Sequence, residues 1–277
     1  MGLRIATNIA SQTVQKNLKE VSSAGNAQLE KLSSGKRITK ASDDAAGLAI
    51  ATNLEAQTKG LRQASRNAND GISLVQTAEG GLNETTNILT RLRELTIQAS
   101  SDTVGDTERG FLNKEYQQLN LEIDRISEST TFNGSQLLNG KGKGKMDFQV
   151  GAFAGEQNRI SFDSGETNAS TEAIGVAGTS IDEKGSALDA ISNIDKAIEK
   201  VSGQRADLGS IQSRLQSTVK NLEVQTINQD SARSVIQDVD VADASASLAS
   251  NTVVKNAAVS TLAQANQIPN SALRLIG

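Results

Sequence analysis

The sequence contains neither histidine nor cysteine. Without histidine, it lacks the side chain that usually acts as a general base near neutral pH and is the commonest metal ligand. Without cysteine it can form no disulfide, thiolate nucleophile or zinc–thiolate site. Such a chain suits passage between redox compartments, because no thiol can mispair. Aromatic residues make up only 2%, with no Trp and a single Tyr, Tyr116. Large rings are the usual filling of thick cores, so thin helical layers of Leu, Ile, Val and Ala are expected. No apolar run is long enough to span a bilayer, and "MGLRIATNIASQ" has no continuous apolar core of signal-peptide length. Gly2 is followed by Ala6 where a myristoylation motif wants Ser or Thr. Neither a cleaved leader nor a lipid anchor is expected.

Charge is present but unevenly spread. Residues 1–43 hold seven Lys/Arg against three Asp/Glu, residues 44–231 hold 18 against 26, and residues 232–277 hold three of each, for a net charge of −4. This is not the basic footprint of a nucleic-acid binder.

Periodicity carries most of the information. Val14, Leu18, Val21, Gly25, Leu29 and Leu32 recur at coiled-coil spacing and stop at Gly35 in "SSGKRITK". "ASDDAAGLAIA" restarts a helix, with Ser42 as cap and Asp43 and Asp44 in the first turn. Neighbouring helical side chains point about 100° apart, so these two carboxylates do not form a catalytic dyad. The helix is expected to run through Leu54, Leu61, Ala64, Ala68, Ile72, Val75 and Leu82 to Ala99, with Gly60, Gly71 and Gly80–Gly81 as points of bending or interruption. After the loop "SSDTVGDTERG", Leu112, Tyr116, Leu119, Ile123 and Ile126 mark a returning antiparallel helix.

Asn133–Gly134 signals a turn. Met146, Phe148 and Val150 alternate, as do Ile160 and Phe162, which predicts a β-hairpin over 146–162. Residues 163–184 are polar, lack a period and read as a short connection. Helix resumes at Leu188, Ile191, Ile194, Ile198 and Val201 and continues to Ile227. The last segment, Val235 to Ile276, has sparse large apolar residues (Leu248, Val253, Val254, Leu262, Ile268), and Pro269 is expected to break it.

The fold class is therefore mainly α: a terminal coiled-coil domain from residues 1–43 and 232–277, and a rod domain of residues 44–231 with a small hairpin. Each terminal stretch could form a helix of about 60 Å. Neither can bury its stripe alone, and even paired they leave apolar surface for other copies of the chain. Val14, Leu18, Val21, Leu29, Leu32, Leu248, Leu262 and Ile268 form the expected polymerisation stripe. The remaining motifs read as structure. "GKGKGK" (140–145) fails the phosphate-loop pattern because Met146 follows Lys145, leaving a flexible basic turn. "SDTVGDTE" (101–108) lacks calcium-loop spacing. No catalytic residue, metal site or cofactor is expected.

Several long stretches, in order, resemble bacterial flagellin. They are "LRIATNIAS" (3–11), "LEKLSSGKRITKASDDAAGLAIA" (29–51), "ASRNANDGISLVQTAEGGL" (64–82), "LRELTIQAS" (92–100), "EIDRISESTTFNG" (122–134), "FQVG" (148–151) and "LAQANQIP" (262–269). The resemblance implies a folded-back subunit of the extracellular flagellar filament, in a short form without variable outer domains. It further implies type III export in an unfolded state and partnership with an export chaperone, a cap, hook-junction proteins and other copies of the chain. A Toll-like innate receptor is implied as a partner through Arg91, Leu95 and Glu115. The alternatives are a hook–filament junction protein, or a surface adhesin or immune-receptor ligand that does not polymerise; an embedded metalloprotease would need HExxH, which a chain without His cannot supply.

Overall fold

In the computed structural model, the backbone is described for residues 7–276 and the side chains for residues 7–267. Ten elements follow in order: α1 (Ile9–Ser34), α2 (Ala45–Ala99), α3 (Asp106–Ser129), β1 (Thr131–Phe132), β2 (Ser135–Gln136), β3 (Lys145–Gln149), β4 (Arg159–Asp163), α4 (Thr171–Ile174), α5 (Lys184–Gln237) and α6 (Val241–Ile276), with one 3₁₀ turn at Glu156–Asn158. They form two compact units, Met1–Ala56 with Asn228–Gly277, and Gln57–Ile227. Helices α2 and α5 contribute to both.

In the terminal unit, α1 begins at an Asn8 cap whose side chain accepts from the Ser11 N–H, and ends at Gly35 with φ 68°. That left-handed conformation is the ordinary way for glycine to stop a helix. Helix α1 lies antiparallel to α6. At one end of the pair, Lys36 bridges Asp238, the Arg37 N–H donates to the Gln237 carbonyl at 2.7 Å, and the Val239 N–H donates to that of Gly35 at 3.1 Å.

The second unit has the closed core. Its α2 segment carries Leu74, Val75, Ala78, Leu82, Leu89, Leu92 and Leu95, all buried against Tyr116 and Ile123 of α3 and Ile194, Val201, Leu208 and Leu215 of α5. Helix α3 returns antiparallel: Arg109 reaches the Ala99 carbonyl, Arg91 meets Glu115, and Gly81 faces Thr130. Arg109 is only 8% exposed and donates to the Ala99 and Ser101 carbonyls, capping the end of α2.

Asn133 (φ 48°) and Gly134 (φ 76°) form the tight turn between β1 and β2. Strands β3 and β4 pair antiparallel, with Met146 opposite Phe162 and Phe148 opposite Ile160, the hairpin that the alternation predicts. Its Phe148 ring lies over Gly71, where a Cβ would come within 3.2 Å, and the Asn67 amide donates to the Gln149 carbonyl at 3.0 Å.

Three expectations are corrected and a fourth is refined. Helix α2 runs unbroken through its glycines, because Gly71 and Gly81 are places of close approach rather than breaks. Helix α6 continues through Pro269 to Ile276; a proline removes one backbone hydrogen bond, and neighbouring turns can carry the helix past it. The short connection of residues 163–184 is itself packed. There the Asp124 carboxylate accepts from Thr171 N–H and Oγ1, both at 2.9 Å, over buried Ala169, Ile174, Val176 and Ile181. In α5, Leu188 is exposed, and Ala187 and Ala190 take the buried positions beside Ile194.

Gly81 and Gly80 give a paired test. A Cβ at Gly81 would sit 2.6 Å from Leu138 Cδ1 and 2.8 Å from Thr130 Oγ1, whereas at Gly80 it would meet nothing within 4 Å. Gly81→Val should destabilise the unit by about 1–3 kcal/mol through overpacking, and Gly80→Ala should stabilise it by roughly 0.5–1 kcal/mol through helix propensity. Denaturant unfolding monitored at Tyr116 measures both; equal effects of the two variants would contradict this assignment.

Candidate self-assembly and recognition surfaces

The stretches "TNIAS" (7–11) and "LAQANQ" (262–267) meet at one end of the helix pair. Asn8 Nδ2 donates to the Ala265 carbonyl at 2.9 Å, and Ser11 Oγ donates to Asn266 Oδ1 at 2.8 Å. Ser11 and Ala265 are buried there. An asparagine ahead of a periodic helix is a cap signal, which announces the local Asn8–Ser11 bond but not the contacts with Ala265 and Asn266.

Along the pair, Val14, Leu18, Val21, Leu32, Leu248 and Leu262 are half-buried. Leu29 is 54% exposed, and the side chain of Ile268 lies outside the described residues. Additional apolar surface appears where the expected stripe did not place it, at Ile9 (57% exposed), Val253 (68% exposed), Val254 and Val259. Among the described residues of this unit, Ile38, Ala51, Ala244 and Ala265 are the buried hydrophobic side chains. Only Ile38 is larger than alanine.

Asp43 and Asp44 act separately, and neither lies within α2. The Asp43 carboxylate accepts from the N–H and Oγ1 of Thr39 and from the Lys40 N–H, each at 3.0 Å. Asp44 accepts from the Gly47 N–H at 2.8 Å, capping a helix that starts at Ala45. This replaces the expected Ser42 cap: an aspartate one residue before the helix can reach the free amides of its first turn. The Thr39 and Lys40 backbone N–H groups, with the Thr39 hydroxyl, hold the Asp43 pKa below the ordinary carboxylate value.

On the second unit, Arg91 joins α2 to α3. Its guanidinium contacts Glu115 at 2.9 Å and Glu94 at 3.0 Å, with all three side chains about half exposed. The hydrogen bond that Arg91 donates to Glu115, and then that to Glu94, raises the Arg91 pKa. Arg93 pairs with Asp195 of α5 at 2.7 Å. Leu95 is only 1% exposed, in the core beneath this patch. Of the three candidate receptor contacts, the fold therefore brings Arg91 and Glu115 together at the surface and places Leu95 under them. Exposed Ile97, Phe111 and Leu121 belong to the same two helices, α2 and α3, and Lys114 Nζ lies 5.6 Å from the Phe111 ring centre.

Among the described residues no group of carboxylates could hold a metal ion, and no helix is long and apolar enough to cross a membrane. One unit with a closed core and another of paired helices with open apolar faces define a self-associating helical subunit.

Comparison with known proteins places that class. Residues 5–143 match the bacterial flagellin N-terminal helical region and residues 191–276 the C-terminal helical region. The flagellin of Halalkalibacterium halodurans is 41% identical over 97% of this chain and 98% of its own length. That of Bacillus subtilis is 38% identical over 99% and 100%. A flagellar filament 31.3 kDa core protein of Treponema maltophilum is 38% identical over 90% and 91%. The crystal structure of Bacillus cereus flagellin superposes with a TM-score of 0.51 at 30% identity, over 57% of this chain and 88% of that one. The chain belongs to the bacterial flagellin family. It is a structural protein of the extracellular flagellar filament and not an enzyme.

The lowered Asp43 pKa fixes a sign. Because the folded-state value is depressed, the stabilisation is present above the unfolded value, about 3.9, and is lost as pH falls through the folded one. In an NMR titration, the Thr39 and Lys40 amide signals should move with a midpoint below that of an ordinary aspartate. A midpoint at or above it would contradict the capping role.

Proposed function

We propose that this flagellin polymerises through the open face of its terminal helix pair, with Val14, Leu18, Val21, Leu29, Leu32, Leu248, Leu262 and Ile268 as the stripe other copies cover. On this reading the inner polymerisation domain comprises residues 1–43 and 232–277 and the rod residues 44–231. The observation that carries the reading is the scarcity of buried large side chains among the described residues of the terminal unit, where Ile38 alone exceeds alanine. Apolar burial contributes roughly 25 cal/mol per Å² removed from water, so every half-covered residue along two long helices favours a neighbour.

The family further suggests export in an unfolded state, a chaperone that holds the carboxy-terminal helix until release, assembly beneath a cap, and attachment through hook-junction proteins. Here "SNTVVKNAAVSTLAQANQ" (250–267) is thinner in Leu and Ile than the usual family pattern, which should weaken the chaperone contact. A Toll-like innate receptor would meet Arg91 and Glu115 directly, with Leu95 supporting them from below.

Assembly has a direct test. Purified chain, seeded with short filament fragments at neutral pH, should pellet as filaments and dissociate in acid. Leu18→Asp combined with Leu262→Asp should remain in the supernatant while the second unit unfolds as before. Wild-type chain that stays monomeric at high concentration with seeds would refute the assembly route.

Recognition has a separate test in receptor-reporter cells. Arg91→Ala and Glu115→Ala should each reduce signalling while changing stability by less than about 1 kcal/mol, as exposed ion pairs do. Leu95→Ala should instead destabilise the unit by about 2–5 kcal/mol. Undiminished signalling by both surface variants would exclude the contact.

A further inference from the structure

The segment "GKGKGK" is anchored, contrary to the flexible turn that its composition suggests. Lys141, Lys143 and Lys145 are exposed, while Gly142 and Gly144 between them are half-buried. A Cβ on Gly142 would run into the Gln136 carbonyl and come within 3.0 Å of Ser164 Oγ. Gly140 and Gly144 adopt left-handed φ values of 67° and 68°, which other L-residues rarely adopt. The Lys141 N–H donates to Asn139 Oδ1 at 3.0 Å. The Gly144 carbonyl accepts from Ser164 N–H at 3.2 Å and from its Oγ at 3.1 Å. On the inner side, buried Leu137 and Leu138 are held through their carbonyls by Thr167 Oγ1 at 3.0 Å and the Ala169 N–H at 2.7 Å. The glycines form the packed edge of this segment and the lysines its outward teeth.

Among the described residues, no ion pair engages these three ammonium groups. The carboxylate opposite Lys145 in the strand register, Asp163, accepts instead from the Gly165 N–H at 2.8 Å. We propose that this cationic comb is a docking surface for a linear polyanionic polysaccharide carrying sulfate or carboxylate groups. The chemistry selects that partner. The segment carries no aromatic side chain to stack a nucleobase and no helix to enter a groove. It also has no exposed large apolar residue to anchor a protein partner. What it offers is charge at fixed positions, and a pre-ordered backbone reduces the entropy lost on binding. Because the whole chain carries a net charge of −4, attraction to a polyanion must be local.

The test uses the full-length chain in its unassembled state, titrated into fluorescein-labelled heparin as the probe. Binding is expected, and three such contacts should make it weaken roughly 20-fold between about 50 mM and 200 mM salt. The triple variant Lys141→Gln/Lys143→Gln/Lys145→Gln should lose about tenfold or more in affinity and most of the salt dependence. Lys114→Gln/Lys196→Gln/Lys220→Gln, with the same change in net charge, should stay within about twofold of wild type. No binding, or equal weakening by the two triple variants, would overturn the proposal. Equally tight binding of single-stranded DNA would overturn the polysaccharide assignment.

Discussion

Two long helices lying side by side can cover only part of each other's apolar stripe, and this constraint governs the molecule. In α1 and α6, Val14, Leu18, Val21, Leu32, Leu248 and Leu262 stop at half-burial, while Leu29, Val253, Val254 and Val259 are exposed. The second unit escapes the same limit because α2 receives three layers of cover: α3, α5 and the β3–β4 hairpin. Leu82, Leu89 and Leu92 are then completely enclosed. The difference lies in how many neighbours each helix has and in the aromatic residues, all six of which lie in the second unit.

The shortage of aromatics shapes how that cover is achieved. With Tyr116 and five Phe in 277 residues, the layers approach closely, and small residues set the distance. Gly71 receives the Phe148 ring, Gly81 receives Leu138 and Thr130, and Ala187 and Ala190 take buried places on α5. In helices that otherwise look weakened by glycine, these positions are contact points. Propensity lost at a glycine is regained as packing where another element fills the gap.

Much of this was legible in the sequence, and the failures share a cause. The stripes of α1, α2 and α3 and the existence of the β3–β4 hairpin follow from periods of 3.5, 3.6 and 2, and the Asn133–Gly134 turn from its residue types. What lacked a period gave no detail. Residues 163–184 are ordered by single side-chain-to-backbone contacts, such as Asp124 with Thr171 and Gln204 with the Glu166 and Asn168 carbonyls. Their partners lie far away in sequence, so no local pattern announces them. Leu188 misled because leucine outweighs alanine in any pattern reading, whereas close helix packing prefers the alanine. Leu95 belongs to a motif resembling a recognition surface, yet its place in the α2 stripe already marked it as core. Reading period before resemblance would have separated it from Arg91 and Glu115.

The contrast between the two units also bears on how one chain can be a soluble subunit and a polymer. Surface ion pairs such as Arg91–Glu115 and Arg93–Asp195 are half exposed and contribute little to stability. The second unit therefore rests on its enclosed side chains. On the proposed assembly, the terminal unit would gain further burial from other copies of the chain, and its stability would then rise with their concentration. A single chain thus couples an autonomous fold to a conditional one. On that reading the polymer is favoured where copies are many.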